Sequence, residues 1–335
     1  MIKCLSADSA TAALKPFEYD PGEIKPTKIE IHVEHCGVCH SDLSMKKNDW
    51  GNTKYPFVPG HEVVGTISKV GSHVNTLKVG ERVGLGWIAG SCMTCQNCVS
   101  GDLNLCPKAE QTIIARHGGF ATHVRCNQEW ALPLPDGINI KNAGPLFCGG
   151  ITVFNPLVQF DVKPTDKVGV IGIGGLGHLA LQFLKAWGCE VTAFTSNPAK
   201  TEEAKKLGAH KVVSTNNDNE LRKIKGTLNF IISTANADLD WTKIISALSA
   251  KGRLHFVGVV PKPISTHVFQ LISSQASISG SPLGSPSTSY KMLEFCARHN
   301  IEPVCEYFKM SQANEALAHL ESGKARYRII LENDL

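Results

Sequence analysis

Four cysteines stand close together in the segment "SCMTCQNCVSGDLNLC", residues 91–106, and their spacing suits a metal ion. Thiolates two residues apart on a tight turn can face one ion, and four of them complete a tetrahedral zinc shell with no open position. We therefore predict a structural zinc site formed by Cys92, Cys95, Cys98 and Cys106. An iron–sulfur cluster or four unrelated buried thiols are the alternatives that the spacing leaves open.

Three more possible metal ligands are scattered along the chain. They are Cys39 in "CGVCHSD", His61 in "PGHEVVG" and Cys148 in "GPLFCGGITVF". Taken singly, a buried cysteine or histidine is more often a core residue than a ligand. The residue types alone therefore leave open whether a second metal site exists.

A glycine-rich turn gives a further chemical signal. Gly172, Gly174 and Gly177 form G-x-G-x-x-G between the apolar stretch "KVGVI" and a segment with helical spacing of apolar residues that ends at Gly188. In this context the glycines allow a tight turn and let a pyrophosphate approach backbone N–H groups at the helix N-terminus. The pattern predicts a dinucleotide-binding unit, with glycines needed only for close packing as the alternative.

The end of the next strand indicates which dinucleotide is bound. An acidic residue there would hold the ribose 2′-hydroxyl of NAD, but "FTSNPAK" offers Thr195, Ser196 and Lys200 instead. Two hydroxyls and one cation without a carboxylate favour the 2′-phosphate of NADP(H). Alternatively, Ser196 and Asn197 simply cap the following helix.

The pattern of apolar residues divides the chain near residue 150. Before it, short segments such as "KIEIHVEHC" and "VVGTISKVG" predict an all-β region with long loops. After it, apolar strands alternate with helical segments, which predicts an α/β fold with a parallel sheet covered on both faces. A length of 335 residues also exceeds the size usual for one domain.

Composition narrows the possible partners and compartments. The formal charge of +4 is small for this length, and the scattered basic residues show no footprint for nucleic acid. No apolar run is long enough for a membrane span, and the first residues lack the features of a signal peptide. We therefore expect a cytoplasmic protein with a small-molecule partner, whose twelve cysteines are thiols or metal ligands.

In one order along the chain, "CGVCHSD", "GHE", the four-cysteine segment, "PLFCGGITVF", "GIGGLG" and "KARYRIIL" resemble zinc-dependent medium-chain alcohol dehydrogenases. The resemblance is strongest to the cinnamyl alcohol dehydrogenase-like aldehyde reductases. It implies a GroES-like β catalytic zinc domain at residues 1–147 and 283–335. A Rossmann NADP-binding domain, a doubly wound parallel sheet, would occupy residues 148–282. The resemblance also implies a homodimer.

The resemblance assigns a second metal site residue by residue. Cys39, His61 and Cys148 would bind a catalytic zinc and leave one position open for substrate. Glu62 would swing onto that metal when substrate or water leaves. Asp42 would orient the imidazole of His61 through its second nitrogen.

Proton transfer and the pocket walls follow from the same resemblance. Ser41 would give a proton to the forming alkoxide. Because Ser44 stands where these relatives usually carry a histidine, the relay would reach solvent through water or through His40. Trp50 and Trp87 are candidate pocket walls, with ordinary core positions as the alternative.

The expected cofactor contacts follow the strands of the second region. They are Gly172, Gly174, Gly175, Leu176, Gly177, Thr195, Ser196, Lys200, Val257, Val259, Ser281 and Leu283. Ser233 and Thr234 end a further strand at the same edge, and ligands of open parallel sheets bind at the strands' carboxyl ends.

The resulting prediction is an NADPH-dependent aldehyde reductase acting on aromatic or medium aliphatic aldehydes, or on the primary alcohols in reverse. Zinc would polarise the carbonyl and the nicotinamide would pass hydride to it. The alternative is a zinc-stabilised NADP(H)-binding sensor without turnover, which has no need for Cys39, His61, Cys148 and Ser41 together. Zinc-free quinone reductases and polyol dehydrogenases fit less well, since the former lack these ligands and the latter commonly use NAD.

Overall fold

The computed structural model describes all 335 residues, which form two compact units. One unit combines Met1–Ile151 with Gly284–Leu335, and the other is Thr152–Leu283. Cys148 therefore belongs to the first unit, a few residues before the boundary rather than beyond it. The reason is local packing, since the ring of Phe147 lies where any side chain at Gly84 of the first unit would stand. None of the helices has the length and apolar character needed to cross a membrane.

Seventeen strands and ten α-helices make up the two units. The strands are β1 (Ile2–Ser6), β2 (Lys15–Tyr19), β3 (Lys28–Val38), β4 (Val63–Val70), β5 (Arg82–Leu85), β6 (Ile88–Gly90), β7 (Glu110–Gln111), β8 (His123–Asn127), β9 (Leu132–Pro133), β10 (Lys167–Ile171), β11 (Glu190–Thr195), β12 (Lys211–Ser214), β13 (Leu228–Ser233), β14 (Leu248–Phe256), β15 (Ser277–Gly280), β16 (Cys305–Lys309) and β17 (Arg328–Glu332). The helices are α1 (His40–Lys47), α2 (Gln96–Val99), α3 (Gly149–Gln159), α4 (Gly177–Trp187), α5 (Thr201–Leu207), α6 (Asp218–Lys223), α7 (Trp241–Ser246), α8 (Val268–Ser274), α9 (Pro286–His299) and α10 (Ala313–Glu321). Short 3₁₀ turns cover Leu103–Leu105, Gln128–Trp130, Ile140–Asn142, Gly144–Phe147, Pro198–Lys200 and Met310–Gln312.

The first unit is built on a seven-stranded sheet. Its order is β16-β17-β3-β4-β5-β9, with β8 also pairing with β3. Every pair is antiparallel except β16 with β17. The long strand β3 is central, and its alternating Ile29, Ile31 and Val33 are fully buried. The sheet brings the end of β3, the start of β4 and the start of β17 together.

Helix α1 corrects the expectation of an all-β first region. The Asp42 carboxylate accepts a hydrogen bond from the backbone N–H of Cys39 at 3.0 Å, which caps the first turn. Asn48 ends the helix after eight residues in the left-handed conformation. A segment this short has too few turns for a helical apolar pattern, so its cap is the main local signal. The helix begins directly after Cys39 and fixes the position of that residue.

The second unit confirms the prediction of a doubly wound parallel sheet. Its order is β12-β11-β10-β13-β14-β15, and all its pairs are parallel. Counted from β10 this is the 3-2-1-4-5-6 order of dinucleotide-binding folds. Helix α4 buries Leu179, Phe183 and Leu184 and ends at Gly188, whose positive φ of 104° forms the expected left-handed cap.

Candidate active site and metal centres

Four potential ligands meet inside the first unit: Cys39, His61, Glu62 and Cys148. Their ligand atoms all lie within 4.8 Å of one another. Cys39 stands just before α1, His61 and Glu62 just before β4, and Cys148 between the 3₁₀ turn and α3. Two sulfurs, one imidazole nitrogen and one carboxylate are ligands that zinc prefers. The donor set therefore fits a zinc ion.

Asp42 orients the imidazole of His61. Its Oδ1 lies 2.9 Å from His61 Nδ1 and also accepts a hydrogen bond from the backbone N–H of Gly60 at 2.8 Å. The other ring nitrogen, Nε2, faces Cys148 Sγ at 3.3 Å. Burial alone would lower the pKa of His61, but the adjacent Asp42 carboxylate raises that pKa well above its usual value. With the Nδ1 proton held by Asp42, Nε2 presents its lone pair to a metal.

Glu62 is fully buried and pairs with Arg328, a residue that the sequence analysis did not single out. A guanidinium nitrogen of Arg328 donates to Glu62 Oε1, while Oε2 has no hydrogen-bond partner. Any side chain at Gly37 would collide with that free oxygen. Burial raises the pKa of Glu62, and Arg328 opposes this rise. The only signal in the sequence for a role of Arg328 was its charge at the start of the apolar strand β17, "RIILE".

The residues expected beside the metal are present around Cys39. Ser41 Oγ lies 3.8 Å from Cys39 Sγ, and its neighbour His40 is exposed. Trp87 meets the imidazole of His61 edge-on with 5.0 Å between ring centroids. Trp50 in turn lies 5.9 Å from Trp87 and is 46% exposed. The two tryptophans therefore form a wall that runs from His61 to the surface of the unit.

The four-cysteine segment forms a second group of ligands. The ligand atoms of Cys92, Cys95, Cys98 and Cys106 lie within 4.8 Å of one another. The sulfur of Cys98 lies 3.9 Å from that of Cys92 and 3.5 Å from that of Cys95, and the sulfurs of Cys95 and Cys106 are 4.0 Å apart. Four thiolates about 2.3 Å from one zinc stand roughly 3.8 Å apart, whereas a disulfide requires about 2.05 Å. Hydrogen bonds from the backbone N–H groups of Thr94 and Cys95 lower the pKa of Cys92 to about 6. This geometry fits a single closed metal site.

The glycine turn of the second unit leaves room for a ligand. Gly172 has a positive φ of 87°, and a side chain at Gly177 would collide with the carbonyl oxygen of Gly172. At Gly174, in contrast, an added Cβ would meet no atom within 4 Å. Nothing inside the protein therefore requires glycine at position 174. The open space at the N-terminus of α4, next to Gly175 and Leu176, fits a bound pyrophosphate.

The polar residues at the end of β11 and just after it differ in their contacts: some form local hydrogen bonds and others are exposed. Thr195 Oγ1 accepts a hydrogen bond from the backbone N–H of Asn197 at 3.1 Å. Asn197 caps the next turn by accepting from the backbone N–H of Ala199 at 3.0 Å, so this part of the capping alternative is correct. Ser196 is exposed, and Lys200 Nζ donates to the carbonyl oxygen of Ile173 at 3.2 Å. Of the three residues expected at a 2′-phosphate, Ser196 is thus exposed, while Thr195 and Lys200 form hydrogen bonds within the protein.

The last expected cofactor residues follow β14 and β15, at the same edge of the sheet as the glycine turn. Val257 and Leu283 are half-buried, while Val259 is 78% exposed. The hydroxyl of Ser281 lies 2.9 Å from Nε2 of the buried His255. A cofactor contact at Ser281 would therefore use its backbone rather than its hydroxyl.

The fold and the two clusters of possible metal ligands define a metal-dependent dehydrogenase, and comparison with known proteins supports this class. Residues 25–136 match the family described as "Alcohol dehydrogenase GroES-like domain", and residues 175–298 match "Zinc-binding dehydrogenase". Aldehyde reductase AdhA of Synechocystis sp. is 54% identical over 99% of both chains. A probable mannitol dehydrogenase of Fragaria ananassa is 38% identical over 98% of this chain and 94% of the relative.

The fold of this chain is also similar to that of a solved structure. Cinnamyl alcohol dehydrogenase (CAD) from Helicobacter pylori, complexed with NADP(H), superposes with a TM-score of 0.90 at 28% identity, covering 99% of this chain and 97% of the other. The chain belongs to the zinc-dependent alcohol dehydrogenase family. It is an oxidoreductase of the alcohol dehydrogenase and aldehyde reductase class, as the sequence motifs predicted, and the GroES-like and parallel-sheet folds are both confirmed.

Proposed function

We propose that this protein is a zinc-dependent aldehyde reductase that uses NADPH and interconverts an aldehyde with its primary alcohol. The first unit would carry the chemistry and the second would bind the cofactor. The observation that carries the proposal is the cluster of Cys39, His61, Glu62 and Cys148 beside the hydroxyl of Ser41. A binding protein without turnover has no use for an oriented imidazole, a buried carboxylate and a hydroxyl at one point.

Cys39, His61 and Cys148 would hold a zinc ion, which would polarise the carbonyl oxygen of the aldehyde. The carboxyl ends of β10, β11, β13 and β14 would hold NADPH, which would supply the hydride. Everything else in the reaction is done by side chains of this chain.

Proton delivery begins at Ser41. Its Oγ is close to Cys39 Sγ, so it can reach an oxygen atom of a substrate seated in this cluster. The Ser41 hydroxyl gives its proton to that oxygen and recovers one from solvent through water or through the exposed His40. The relatives usually carry a histidine at position 44, and Ser44 has no imidazole to take part in this step.

Glu62 and Arg328 keep the site ready for exchange of ligands. The ion pair with Arg328 holds Oε1, while Oε2 has no hydrogen-bond partner, and the carboxylate of Glu62 lies within 4.8 Å of the other ligand atoms. Glu62 would move this second oxygen toward the metal when the substrate leaves and release it when the next substrate arrives. Arg328 prevents the carboxylate from becoming a permanent ligand because it competes for the same charge.

The preference for NADPH rests on the end of β11. This segment carries the exposed Ser196 and the amine of Lys200 and has no carboxylate that would repel a 2′-phosphate. The relative from Helicobacter pylori was solved with NADP(H), which agrees with this assignment. Aromatic or medium aliphatic aldehydes are the proposed substrates, because Trp87 and Trp50, in edge-to-face contact, offer apolar ring surface beside His61. The proposed compartment is the cytoplasm, where free thiols stay reduced.

The first test is an assay of NADPH oxidation with benzaldehyde, cinnamaldehyde and hexanal, with mannose as the competing polyol-type substrate. We expect oxidation with at least one of the three aldehydes and a kcat/KM for NADPH at least about tenfold above that for NADH. NADPH oxidation with mannose alone would replace the aromatic or aliphatic aldehyde by a sugar aldehyde as the proposed substrate. No oxidation with any substrate would favour the sensor without turnover.

The same assay has a control for the cofactor preference. Lys200→Met removes the cation but keeps the length of the side chain, so KM for NADPH should rise about 10- to 100-fold. KM for NADH should stay nearly unchanged, because NADH lacks the 2′-phosphate. An equal rise for both cofactors would mean that Lys200 stabilises the turn through Ile173 instead.

The second unit also offers a surface for a homodimer. Strand β15 is an edge of the parallel sheet. Helix α8 packs against the neighbouring β14 and exposes Val268, Phe269 and Ile272 by 66%, 75% and 67%. An apolar patch beside an open strand suits pairing with a second copy about a twofold axis.

Light scattering after size exclusion tests the dimer. We expect twice the chain mass of 36.2 kDa for the wild type. Phe269→Glu should give the monomer mass because it buries a charge in the interface, while Val79→Glu, an equally exposed apolar position of the first unit, should leave the dimer intact. A wild-type monomer would contradict the proposal.

A further inference from the structure

Thr234, the residue that follows β13, is tied to the glycine turn that follows β10. Its Oγ1 lies 2.6 Å from the carbonyl oxygen of Gly172 and 3.0 Å from that of Ile171, and the hydroxyl hydrogen is shared between them. The backbone N–H of Thr234 also donates to Ile171 at 2.9 Å. The side chain of Thr234 therefore adds a hydrogen bond beyond the paired residues of β10 and β13, and this bond reaches the glycine turn.

Close packing leaves Thr234 no alternative position. A Cβ at Gly258, in the turn after β14, would stand 2.6 Å from the backbone of Thr234. A Cβ at Gly172 would meet the backbone of Ala235 at 3.0 Å and Thr234 Oγ1 at 3.1 Å. Thr234 thus packs closely against Gly172 and Gly258, the glycines of two neighbouring turns.

We propose that Thr234 is a positioning residue for the cofactor pyrophosphate. The carbonyl of Gly172 and the N–H of Ile173 belong to one planar peptide unit, so a bond to the carbonyl also fixes the direction of the N–H. The hydroxyl of Thr234 holds this unit in the shape that keeps the space at Gly174 open. A turn that is already in its bound shape binds the phosphates with a smaller loss of entropy. This inference rests on the proposed binding of NADP(H) to the second unit.

Ser233 supplies the matched control. It is the last residue of the same strand and is fully buried, but its Oγ has no hydrogen-bond partner. The sequence pattern placed Ser233 at the cofactor edge, but its side chain is fully buried and has no surface to offer a cofactor. Removal of its hydroxyl deletes no hydrogen bond to the glycine turn. Ser233→Ala and Thr234→Val therefore differ in the one feature under test, a hydroxyl bonded to the glycine turn.

The experiment measures the Kd of NADPH and of NADH for the full-length zinc-loaded enzyme by fluorescence titration, together with KM, kcat and the thermal midpoint without cofactor. Thr234→Val keeps the shape of the side chain, and we expect both Kd values and both KM values to rise about tenfold. The kcat at saturating cofactor should stay within twofold of wild type. Thr234→Ser should restore both Kd values, and Ser233→Ala should leave them unchanged.

The outcomes separate the inference from the function on which it rests. An unchanged Kd in Thr234→Val would overturn the inference, and so would a loss in Thr234→Ser as large as in Thr234→Val. A lower thermal midpoint with unchanged Kd values would show a purely structural role and overturn it too. A wild type that binds NADH more tightly than NADPH would overturn the NADP assignment, while the tenfold change in Thr234→Val would still support the inference.

Discussion

Cys148→Ser is expected to remove one of two zinc ions per chain and to lower kcat/KM for aldehyde reduction by at least about 10³-fold. The fold should remain. Serine has nearly the size of cysteine, but its hydroxyl does not ionise at neutral pH and is a poor zinc ligand. Elemental analysis and the NADPH assay measure the two losses, and a thermal melt measures the stability.

The fold should survive because the charges around this site are paired within the protein. Asp42 accepts hydrogen bonds from the backbone N–H groups of Cys39 and Gly60 and faces His61. Glu62 is paired with Arg328. Buried charges that have partners of this kind do not need the metal for compensation. Loss of the catalytic metal in Cys148→Ser is thus expected to lower the activity strongly and the stability only slightly.

Cys36→Ala is the matched control for this prediction. Cys36 belongs to the same "CGVCH" motif and is fully buried, but its sulfur lies outside the cluster of ligand atoms. The variant should keep two zinc ions and most of the activity. Retention of two zinc ions and of activity in Cys148→Ser would contradict the assignment of Cys148 as a ligand, and metal loss in Cys36→Ala would show that the site is merely sensitive to packing.

The second unit could be predicted from the sequence because its signals are local. The strand that was predicted to end in "FTSNPAK" is β11, which ends at Thr195, and α4 ends where Gly188 provides a left-handed cap. Apolar strands separated by amphipathic helices specify a parallel sheet without any knowledge of distant contacts. Thr195 remains a predicted cofactor contact, and its hydroxyl also forms hydrogen bonds with the backbone of Asn197.

The first unit could be predicted less completely because its site is assembled from distant parts of the chain. Motifs identified the ligands, but Arg328 stands 266 positions from Glu62 and only the register of β17 beside β3 brings them together. The helix α1 was missed for a related reason. Its stability depends on Asp42, a residue whose carboxylate also serves His61. The sequence motifs assigned Asp42 its role beside His61 but not its second role as the cap of α1.

Cys95→Ser is expected to have the opposite effect to Cys148→Ser, namely a large loss of stability. The segment 91–106 contains only the short helix α2 and one 3₁₀ turn, and its apolar side chains Met93, Val99 and Leu105 are largely exposed. Without an apolar core of its own, the segment depends on the metal for its structure. We expect the free energy of unfolding to fall by at least about 2 kcal/mol, which lowers the thermal midpoint by about 4–8 °C.

Zinc content, the thermal midpoint and amide hydrogen exchange over residues 91–106 measure this prediction. One zinc ion per chain should remain, exchange in the segment should become fast, and kcat/KM measured well below the midpoint should stay close to wild type. Val99→Ser is the control, since it removes an exposed apolar side chain of α2 and no ligand. It should change neither the zinc content nor the exchange.

Opposite results for the two cysteine variants follow from how each metal group is held. The catalytic ligands come from segments anchored in the sheet of the first unit, so the protein positions the metal. The four cysteines lie within sixteen consecutive residues, so a bound metal ion would hold this segment in its folded structure. An equal loss of folding in Cys148→Ser and Cys95→Ser would contradict this division, and a Cys95→Ser protein with two zinc ions and a wild-type midpoint would show that three thiolates and the local backbone are enough to hold the segment.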